Sequence, residues 1–321
     1  MRHNSGILYE YMAWILLATA GQFLNALVAI LDKYIVTDEN ILPRPFVYAF
    51  YSCLITGFWV VIYLLGFIPG LSDLGAPTFK NVQSPTIQVV GMSFLAAYTF
   101  FMALVSMYDG LKKADASDVM PVIGAVAAVS SFGMSFLFLG TQLTPNFIWG
   151  IALLTVGTLL VSQMHFTKTV ILQTIHSGIF FALHYIAMKG LFLETSFDDG
   201  FFWSRISFVV FALSLLLVPS YFAKITQQTQ KTTKKGGILV LTAKVFAGIA
   251  AFMLLKATDI GDVTVVQALD GLKYVFIIVI SLMFGKFIPV AAGENKHDTQ
   301  TIMRKVLYVL VISIGFVMLF G

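Results

Sequence analysis

Long apolar stretches recur along almost the whole chain, and they limit the folds that the protein can adopt. A transmembrane helix needs about 20 mostly apolar residues, and ten segments of the sequence approach that description. They are residues 11–36, 46–68, 87–111, 118–139, 146–164, 169–193, 200–222, 237–257, 261–287 and 302–320. Polar or turn-forming residues such as Pro69, Gly70 and Asp198 separate them. The sequence therefore predicts an all-α integral membrane protein with ten transmembrane helices.

The composition agrees with this class of protein. Hydrophobic residues make up 58% of the chain and charged residues 11%, against about 45–50% and about 25% in soluble domains. The net charge is only +4 and the basic residues form no stripe, so we expect no nucleic-acid partner. The single cysteine, Cys53, excludes a disulfide framework. We expect a multi-pass protein of the plasma or inner cell membrane, with membrane lipid as a partner, and the sequence leaves a homodimer open.

Two parts of the chain repeat the same pattern. The motif Lys112-x-x-Asp115-x-x-Asp118-Val119 after the third predicted helix recurs as Lys256-x-x-Asp259-x-x-Asp262-Val263 after the eighth, and the offset is 256 − 112 = 144 residues. In the first and sixth helices, Lys33 aligns with Lys189 at an offset of 189 − 33 = 156 residues. We therefore divide the chain into two five-helix repeats, residues 1–166 and 167–321.

Five helices per repeat is an odd number, so the second repeat enters the membrane from the opposite face. The two repeats are then inverted relative to each other about a pseudo-two-fold axis in the membrane plane, as in many secondary transporters. Such a pair can exchange inward-open and outward-open shapes around one central site. The predicted topology therefore favours transport by alternating access.

The segment from Ala114 to Ser162 contains a series of short motifs. They are Ala116-Ser117-Asp118, Pro121-Val122, Phe138-Leu139-Gly140, Leu143-Thr144-Pro145, Gly150 and Gly157. With these motifs and its five plus five helices, the chain resembles the EamA-like branch of the drug/metabolite transporter superfamily. One departure is Thr141, where the family often has a glutamate. The resemblance implies movement of small metabolites without a nucleotide-hydrolysing subunit.

The orientation in the membrane stays open. Lysines and arginines are concentrated in the loops that follow odd-numbered predicted helices, and the positive-inside rule then places both termini outside. The resemblance to the transporter family instead implies that both termini are cytoplasmic.

Ionisable residues inside the predicted helices are candidates for function, because a charge within the bilayer is costly. The ninth helix carries four polar residues on one broad face: Gln267, Asp270, Lys273 and Tyr274. Asp270 and Lys273 could bind opposite ends of a zwitterion, or Asp270 could carry a coupling proton. The alternative is an ion pair of Asp270 with Lys273 or Lys244 that only fixes helix packing. We predict that these residues line the substrate site.

Three further residues are predicted to lie at the same site. Lys244 in the eighth helix comes level with Lys273, where it either pairs with Asp270 or faces the cavity. Gln22 and Asn25 are close together in the first helix, and their amides could bind either the substrate or another helix. Two central lysines favour an anionic or carboxylate-bearing substrate.

Two histidines are candidates for proton coupling alongside Asp270. His176 and His184 lie loosely on the same side of the sixth helix, and an imidazole can relay protons. The alternative for each is a neutral histidine bonded to a backbone carbonyl. No third ligand at metal spacing accompanies them, so we expect neither a metal nor another cofactor. Asp118 and Asp262 begin helices, where aspartate is a good N-cap.

Two other classes of function are compatible with a multi-pass chain. An intramembrane enzyme would need a catalytic motif such as HExxH or GxSxG, and the sequence contains neither. A non-transporting scaffold or receptor would not need a charged ninth helix. We therefore predict that the chain is not an enzyme but a secondary transporter of a small metabolite, with its site between the two repeats.

Overall fold

A computed structural model of the chain describes residues 2–68, 77–114, 116–141, 145–161, 167–284, 311 and 314. These residues form helices joined by short connections, and they include no β-strand. The α-helices are α1 (Arg2–Thr37), α2 (Pro45–Phe58), α3 (Ile87–Lys113), α4 (Ala116–Met134), α5 (Pro145–Val161), α6 (Lys168–Glu194), α7 (Phe197–Leu215), α8 (Pro219–Lys231), α9 (Lys234–Ile260), α10 (Val263–Ala268) and α11 (Gly271–Phe284). The predicted all-α class is confirmed.

Seven segments of the described chain are long and apolar enough to cross a membrane. They are Ala13–Thr37, Pro45–Phe67, Ile87–Lys113, Asp118–Leu139, Lys168–Glu194, Lys234–Ile260 and Val263–Ile280. The second and fourth are completed by a 3₁₀ segment after α2 and a π-helical turn after α4. The chain is therefore a multi-pass membrane protein, and these seven segments correspond to the first, second, third, fourth, sixth, eighth and ninth predicted helices.

The other three predicted helices differ from their prediction or fall largely outside the described residues. The seventh, predicted over 200–222, ends at Leu215 and is followed by a bend of 98° into α8. Pro219 begins α8, because a proline lacks the N–H that would continue the hydrogen-bond ladder of α7. The fifth, predicted over 146–164, is observed as the 17-residue α5 from Pro145 to Val161, and residues 162–164 lie outside the described residues. The tenth, at 302–320, lies almost wholly outside the described residues.

Side-chain caps explain where several helices begin. Four N-cap hydroxyls accept a hydrogen bond from the backbone N–H three residues later, which satisfies a donor that the helix leaves unpaired; they belong to Thr86, Thr167, Ser196 and Thr233. Asp262 caps α10 as predicted and accepts from two N–H groups of the next turn at 2.7 and 3.2 Å. Asp118 lies instead within the first turn of α4, where its charge suits the positive end of the helix dipole.

The ninth predicted helix contains a short turn near its middle. α10 ends at Ala268 and α11 begins at Gly271. Across the turn, the backbone N–H groups of Asp270 and Lys273 each bond to a carbonyl three residues back, at 3.1 Å in both cases. Val263–Ile280 nevertheless forms one spanning segment, and Asp270 lies at the turn within it.

Helices from the two ends of the chain are packed against each other. α1 lies along α9, and α3 lies along α6. α4 also packs on α6, while α11 packs on α1. The largest buried core joins side chains of the first four helices to α7 and α9. Among the described helices, those of the two predicted repeats therefore pack together, and a cavity remains between α1, α2, α3, α4, α6, α9, α10 and α11.

Two lysines bind the carboxyl ends of helices that are distant in the sequence. Lys33 of α1 donates to the carbonyl oxygens of Leu111 and Ala114 at the end of α3, at 2.6 and 2.8 Å. Lys189 of α6 donates to three carbonyl oxygens at the end of α9, at 2.8, 2.8 and 3.0 Å. The last carbonyls of a helix lack a partner within it and carry partial negative charge. An ammonium group therefore stabilises both helix ends.

Candidate functional site

The cavity between the helices has a volume of about 130 Å³. A protein cavity of about 150 Å³ binds benzene, so the space suits a small organic molecule. Aliphatic and aromatic side chains form much of the wall. The charged residues that line it are Asp32, Lys244, Asp270 and Lys273. Their formal charges cancel when all four are ionised, so the cavity is lined by two carboxylates and two ammonium groups with no net charge.

Six of the seven residues predicted to bind substrate line this cavity, and they are Gln22, Asn25, Lys244, Gln267, Asp270 and Lys273. The seventh, Tyr274, lies behind the wall. Its hydroxyl is shared between Asp270 Oδ2, at 2.9 Å, and the backbone carbonyl of Met120 in α4. Tyr274 thus connects Asp270 to α4. The structure brings the predicted residues together, and their binding of a substrate stays a prediction.

Asp270 and Lys273 form an ion pair at the start of α11. Lys273 Nζ lies 2.7 and 2.8 Å from the two carboxylate oxygens of Asp270. The two residues are three positions apart, so both partners belong to one short segment. Of the two alternatives predicted for Asp270, pairing with Lys273 is confirmed and pairing with Lys244 is wrong. The pair nevertheless lines the cavity and is not sealed inside a helix interface.

Lys244 pairs with a residue that the sequence analysis overlooked. Its ammonium lies 2.9 Å from Asp32 Oδ1 of α1, and each side chain is only 4% exposed. The same ammonium donates to the hydroxyl of Tyr108 at 2.9 Å and lies 4.3 Å from the ring centre of Tyr48. The hydroxyl of Tyr48 donates to the same Asp32 oxygen. This cluster of Asp32, Tyr48, Tyr108 and Lys244 joins four helices.

Ser52 extends the cluster along α2. Its hydroxyl donates to the carbonyl of Tyr48 at 2.8 Å and lies 3.0 Å from the hydroxyl of Tyr108. The rings of Tyr48 and Tyr108 are 4.4 Å apart. Each of these three hydroxyl groups can donate and accept a hydrogen bond. The polar groups around the Asp32–Lys244 ion pair therefore form a connected hydrogen-bond network in an otherwise apolar surrounding. Such networks hold their members in fixed positions when every group is satisfied.

A signal for Asp32 was present in the sequence. Asp32 is an acid inside the first predicted helix, and the rule that selected Asp270 applies to it equally. It lies near the end of that helix beside Lys33, where charged residues commonly reach the membrane surface. The structure shows instead that Asp32 is 3% exposed. Its partner is more than two hundred residues away, so the sequence alone does not reveal the pair.

The two amides predicted at the site lie on α1. Gln22 and Asn25 both line the cavity, and the amide of Asn25 donates to Gln22 Oε1 across a long distance of 3.5 Å. Gln22 is 2% exposed. The two amides therefore place donors and acceptors on the same wall as Asp32.

The two histidines lie away from the cavity wall. His184 Nδ1 is 2.9 Å from the carbonyl oxygen of Ala96, and His176 Nδ1 is 2.7 Å from the hydroxyl of Ser106. Both bonds connect α6 to α3, and neither histidine is among the lining residues. Across the part of the chain that the structure describes, no group of three or more His, Cys, Asp or Glu side chains could hold a metal ion.

Gly124 of α4 faces the side chains of Asp270 and Tyr274. A Cβ at this position would lie 2.5 Å from Asp270 Oδ2 and nearer still to the hydroxyl of Tyr274. Real Cβ contacts are not this short, so the space for these two side chains depends on the missing Cβ. Small residues allow such close approach between helices in membranes.

Comparison with known proteins gives a fold and no family. No family model matches the sequence, and no curated protein matches it either. The fold is similar to a solved structure described only as "Crystal structure of protein", with a TM-score of 0.60 and 15% sequence identity. The similarity covers 95% of this chain and 97% of that chain. The arrangement of helices over nearly the whole chain is therefore shared with another protein.

Proposed function

We propose that the protein is a secondary transporter that moves a small metabolite across the cell membrane by alternating access. The observation that carries the proposal is a small cavity inside a multi-pass bundle. Its lining residues come from two parts of the chain, between positions 22 and 127 and between positions 181 and 273. Two ion pairs lie on its wall. Buried charges in a membrane are costly and usually mark a pathway for a substrate or an ion. A cavity shared by two halves of a chain is where alternating access places its site.

The proposal includes two inverted repeats, residues 1–166 and 167–321, with ten transmembrane helices. Packing supports it, because α1 with α9 and α3 with α6 are equivalent pairs if α6 corresponds to α1 and α9 to α3. A two-fold axis exchanges these two pairs. The motifs between Ala114 and Ser162 support a place in the EamA-like branch of the drug/metabolite transporters.

The test is a thermal-shift screen of detergent-purified protein against amino acids, nucleosides, sugars, organic acids and cationic drugs. A ligand at 100 times its Kd stabilises a protein by about 2.7 kcal/mol. We expect one class to stabilise the wild type and to lose its effect in Asp270→Asn, because that change removes a charge from the cavity wall that a bound substrate would contact. The same ligand should be taken up by proteoliposomes that contain the wild-type protein.

Asp259→Asn is a matched control. Asp259 also pairs with a lysine three positions away, Lys256, at 2.9 Å, but neither residue lines the cavity. The ligand should stabilise this variant as much as it stabilises the wild type. Equal loss in both variants would indicate a general effect of breaking an ion pair. A folded wild-type protein that binds and transports no compound of any class would contradict the proposed function.

A further inference from the structure

The ion pair of Asp32 and Lys244 differs from the other pair in the cavity because it connects the two proposed repeats. Asp32 lies on α1 and Lys244 on α9, whereas Asp270 and Lys273 lie on one short segment. When helices move relative to each other, Asp270 and Lys273 move together and stay paired. A movement of α1 relative to α9 would separate Asp32 from Lys244. A change of shape that includes this movement therefore acts on the Asp32–Lys244 pair.

Separation of this pair requires a new partner for each charge. Both side chains are buried, and an unpaired charge in such a place is much less stable than a paired one. A proton is the smallest partner that neutralises the carboxylate. An anion in the cavity is the partner that can reach the ammonium, since Lys244 lines the cavity wall. Before separation, the charges of Asp32 and Lys244 cancel. After separation, a protonated Asp32 is neutral and the anion cancels the charge of Lys244, so the site again has no net charge.

We propose that Asp32 and Lys244 form the coupling site of the transporter, at which a proton and a small organic monoanion bind together. The proton forms an O–H bond with the carboxylate of Asp32. Lys244 keeps its three protons and exchanges the carboxylate of Asp32 for that of the ligand, so no other covalent bond forms or breaks. This inference rests on the proposed transport function and assigns its coupling to Asp32 rather than to Asp270 or a histidine.

The groups that face Asp32 can form hydrogen bonds with both its ionised and its protonated carboxyl group. From α2, the hydroxyl of Tyr48 donates to the carboxylate, and a hydroxyl can also accept the hydrogen of a protonated acid. From α3, Tyr108 accepts from Lys244 and can hold the ammonium while its partner is exchanged. Lys33, next to Asp32 on α1, is bound to the end of α3. Asp270 and Lys273 face the same cavity and neutralise each other.

The other residues of the cavity wall and the cavity volume limit the size and polarity of the ligand. Phe100, Leu104, Met107 and Phe181 supply apolar wall beside the charged groups. The volume of about 130 Å³ corresponds to a body no larger than about a benzene ring. A monocarboxylate with a compact apolar body therefore combines the charge that Lys244 needs with the shape that the wall allows. Acetate, butyrate and benzoate are suitable probes, and benzamide is the uncharged counterpart of benzoate.

Isothermal titration calorimetry of the full-length purified protein tests the inference. Titrations in two buffers of different ionisation enthalpy count the protons taken up with each bound ligand. We expect the wild type to take up one proton for each bound carboxylate, and its affinity to fall about tenfold for each pH unit over the range in which that proton is taken up. Benzamide should not bind, because it offers no charge to Lys244.

Three variants separate the roles of the two residues. Asp32→Asn imitates the protonated acid, so carboxylates should bind to it without proton uptake and with an affinity that does not depend on pH. Lys244→Gln should lose carboxylate binding. The double variant Asp32→Asn/Lys244→Gln restores neutrality, so it should keep its thermal midpoint and still bind no carboxylate. This double variant distinguishes loss of the site from loss of the fold.

Carboxylate binding without proton uptake in the wild type would overturn the inference. So would an unchanged pH dependence in Asp32→Asn, or a folded wild-type protein that binds none of the three carboxylates. If a neutral or zwitterionic ligand still binds in an Asp270-dependent manner, the proposed transport function stands without this coupling site. If no ligand of any class binds or is transported, the proposed function fails as well.

Discussion

Lys33 and Lys189 make equivalent contacts in the two halves of the chain. Each donates from one helix to the carbonyl end of another. Lys33 donates to the carbonyl of Ala114, and Lys189 donates to the carbonyl of Thr258, at the corresponding position of the second half. The lysines differ by 156 positions and the acceptors by 258 − 114 = 144 positions, which are the two offsets of the repeated sequence pattern. The two parts of the repeated pattern were aligned with different offsets, and they are in contact with each other in each half of the chain. This relationship supports the inverted repeat in the proposed function.

Removal of either lysine should destabilise the protein. In Lys33→Met or Lys189→Met, the carbonyls at a helix end lose a charged donor. We expect the free energy of unfolding to fall by about 1.5–3 kcal/mol, the range for hydrogen bonds to charged groups. Thermal unfolding in detergent measures this loss. Lys168→Met changes an exposed residue in the first turn of α6 and should leave the midpoint unchanged, whereas an equal loss in all three variants would contradict the explanation.

Gly124 should tolerate no larger side chain. Alanine normally stabilises a helix interior by about 1 kcal/mol relative to glycine, but at position 124 its Cβ would lie 2.5 Å from Asp270 Oδ2. We expect Gly124→Ala to lower the thermal midpoint and to weaken ligand binding, because Asp270 and Tyr274 must move. Gly133 on the same helix has no atom within 4 Å of such a Cβ, so Gly133→Ala should be as stable as the wild type or more so.

The cap of α10 should contribute measurably to stability. Asp262 accepts two backbone hydrogen bonds, and loss of an N-cap side chain costs about 1 kcal/mol. We expect Asp262→Ala to lower the free energy of unfolding by that amount and Asp262→Ser to retain most of it, because serine is also a good cap. A chemical or thermal unfolding series checks both variants, and equal destabilisation by alanine and serine would rule out the capping role.

The apolar pattern predicts most spans well, because a membrane helix must satisfy its own backbone whatever packs against it. The third predicted helix, 87–111, is observed as Ile87–Lys113. Breaks inside apolar stretches are harder to find, since the residues on both sides stay apolar. The bend before Pro219 carries a proline as its signal, whereas no proline marks the turn at Leu269 and Asp270.

Most residues of the candidate site are predictable from the sequence, but only the local one of its two ion pairs is predictable. The cost of charge in a membrane selects Lys244, Asp270 and Lys273 from the sequence, and all three line the cavity. The pairing of Asp270 with Lys273 is local and was one of the predicted alternatives. The pairing of Lys244 with Asp32 depends on the packing of α9 along α1. Periodicity within either helix carries no information about that contact.

The cavity should be reachable from water, and cysteine chemistry can test this. Alternating access requires the site to open to one side of the membrane at a time. The native Cys53 is fully buried, and a buried thiol is inert towards polar reagents, so the wild type should give no background labelling. Ala247→Cys places a thiol on the cavity wall. Ala250→Cys places one at a fully buried position of the same helix.

We expect a small charged methanethiosulfonate reagent to label Ala247→Cys and to leave Ala250→Cys and the wild type unmodified. Mass spectrometry of the intact protein measures the modified fraction over time. A ligand found in the thermal-shift screen should slow the labelling of Ala247→Cys, because it occupies the space that the reagent must enter. If Ala247→Cys stays unmodified in the folded protein, water does not reach the cavity, and a transport pathway through it is contradicted.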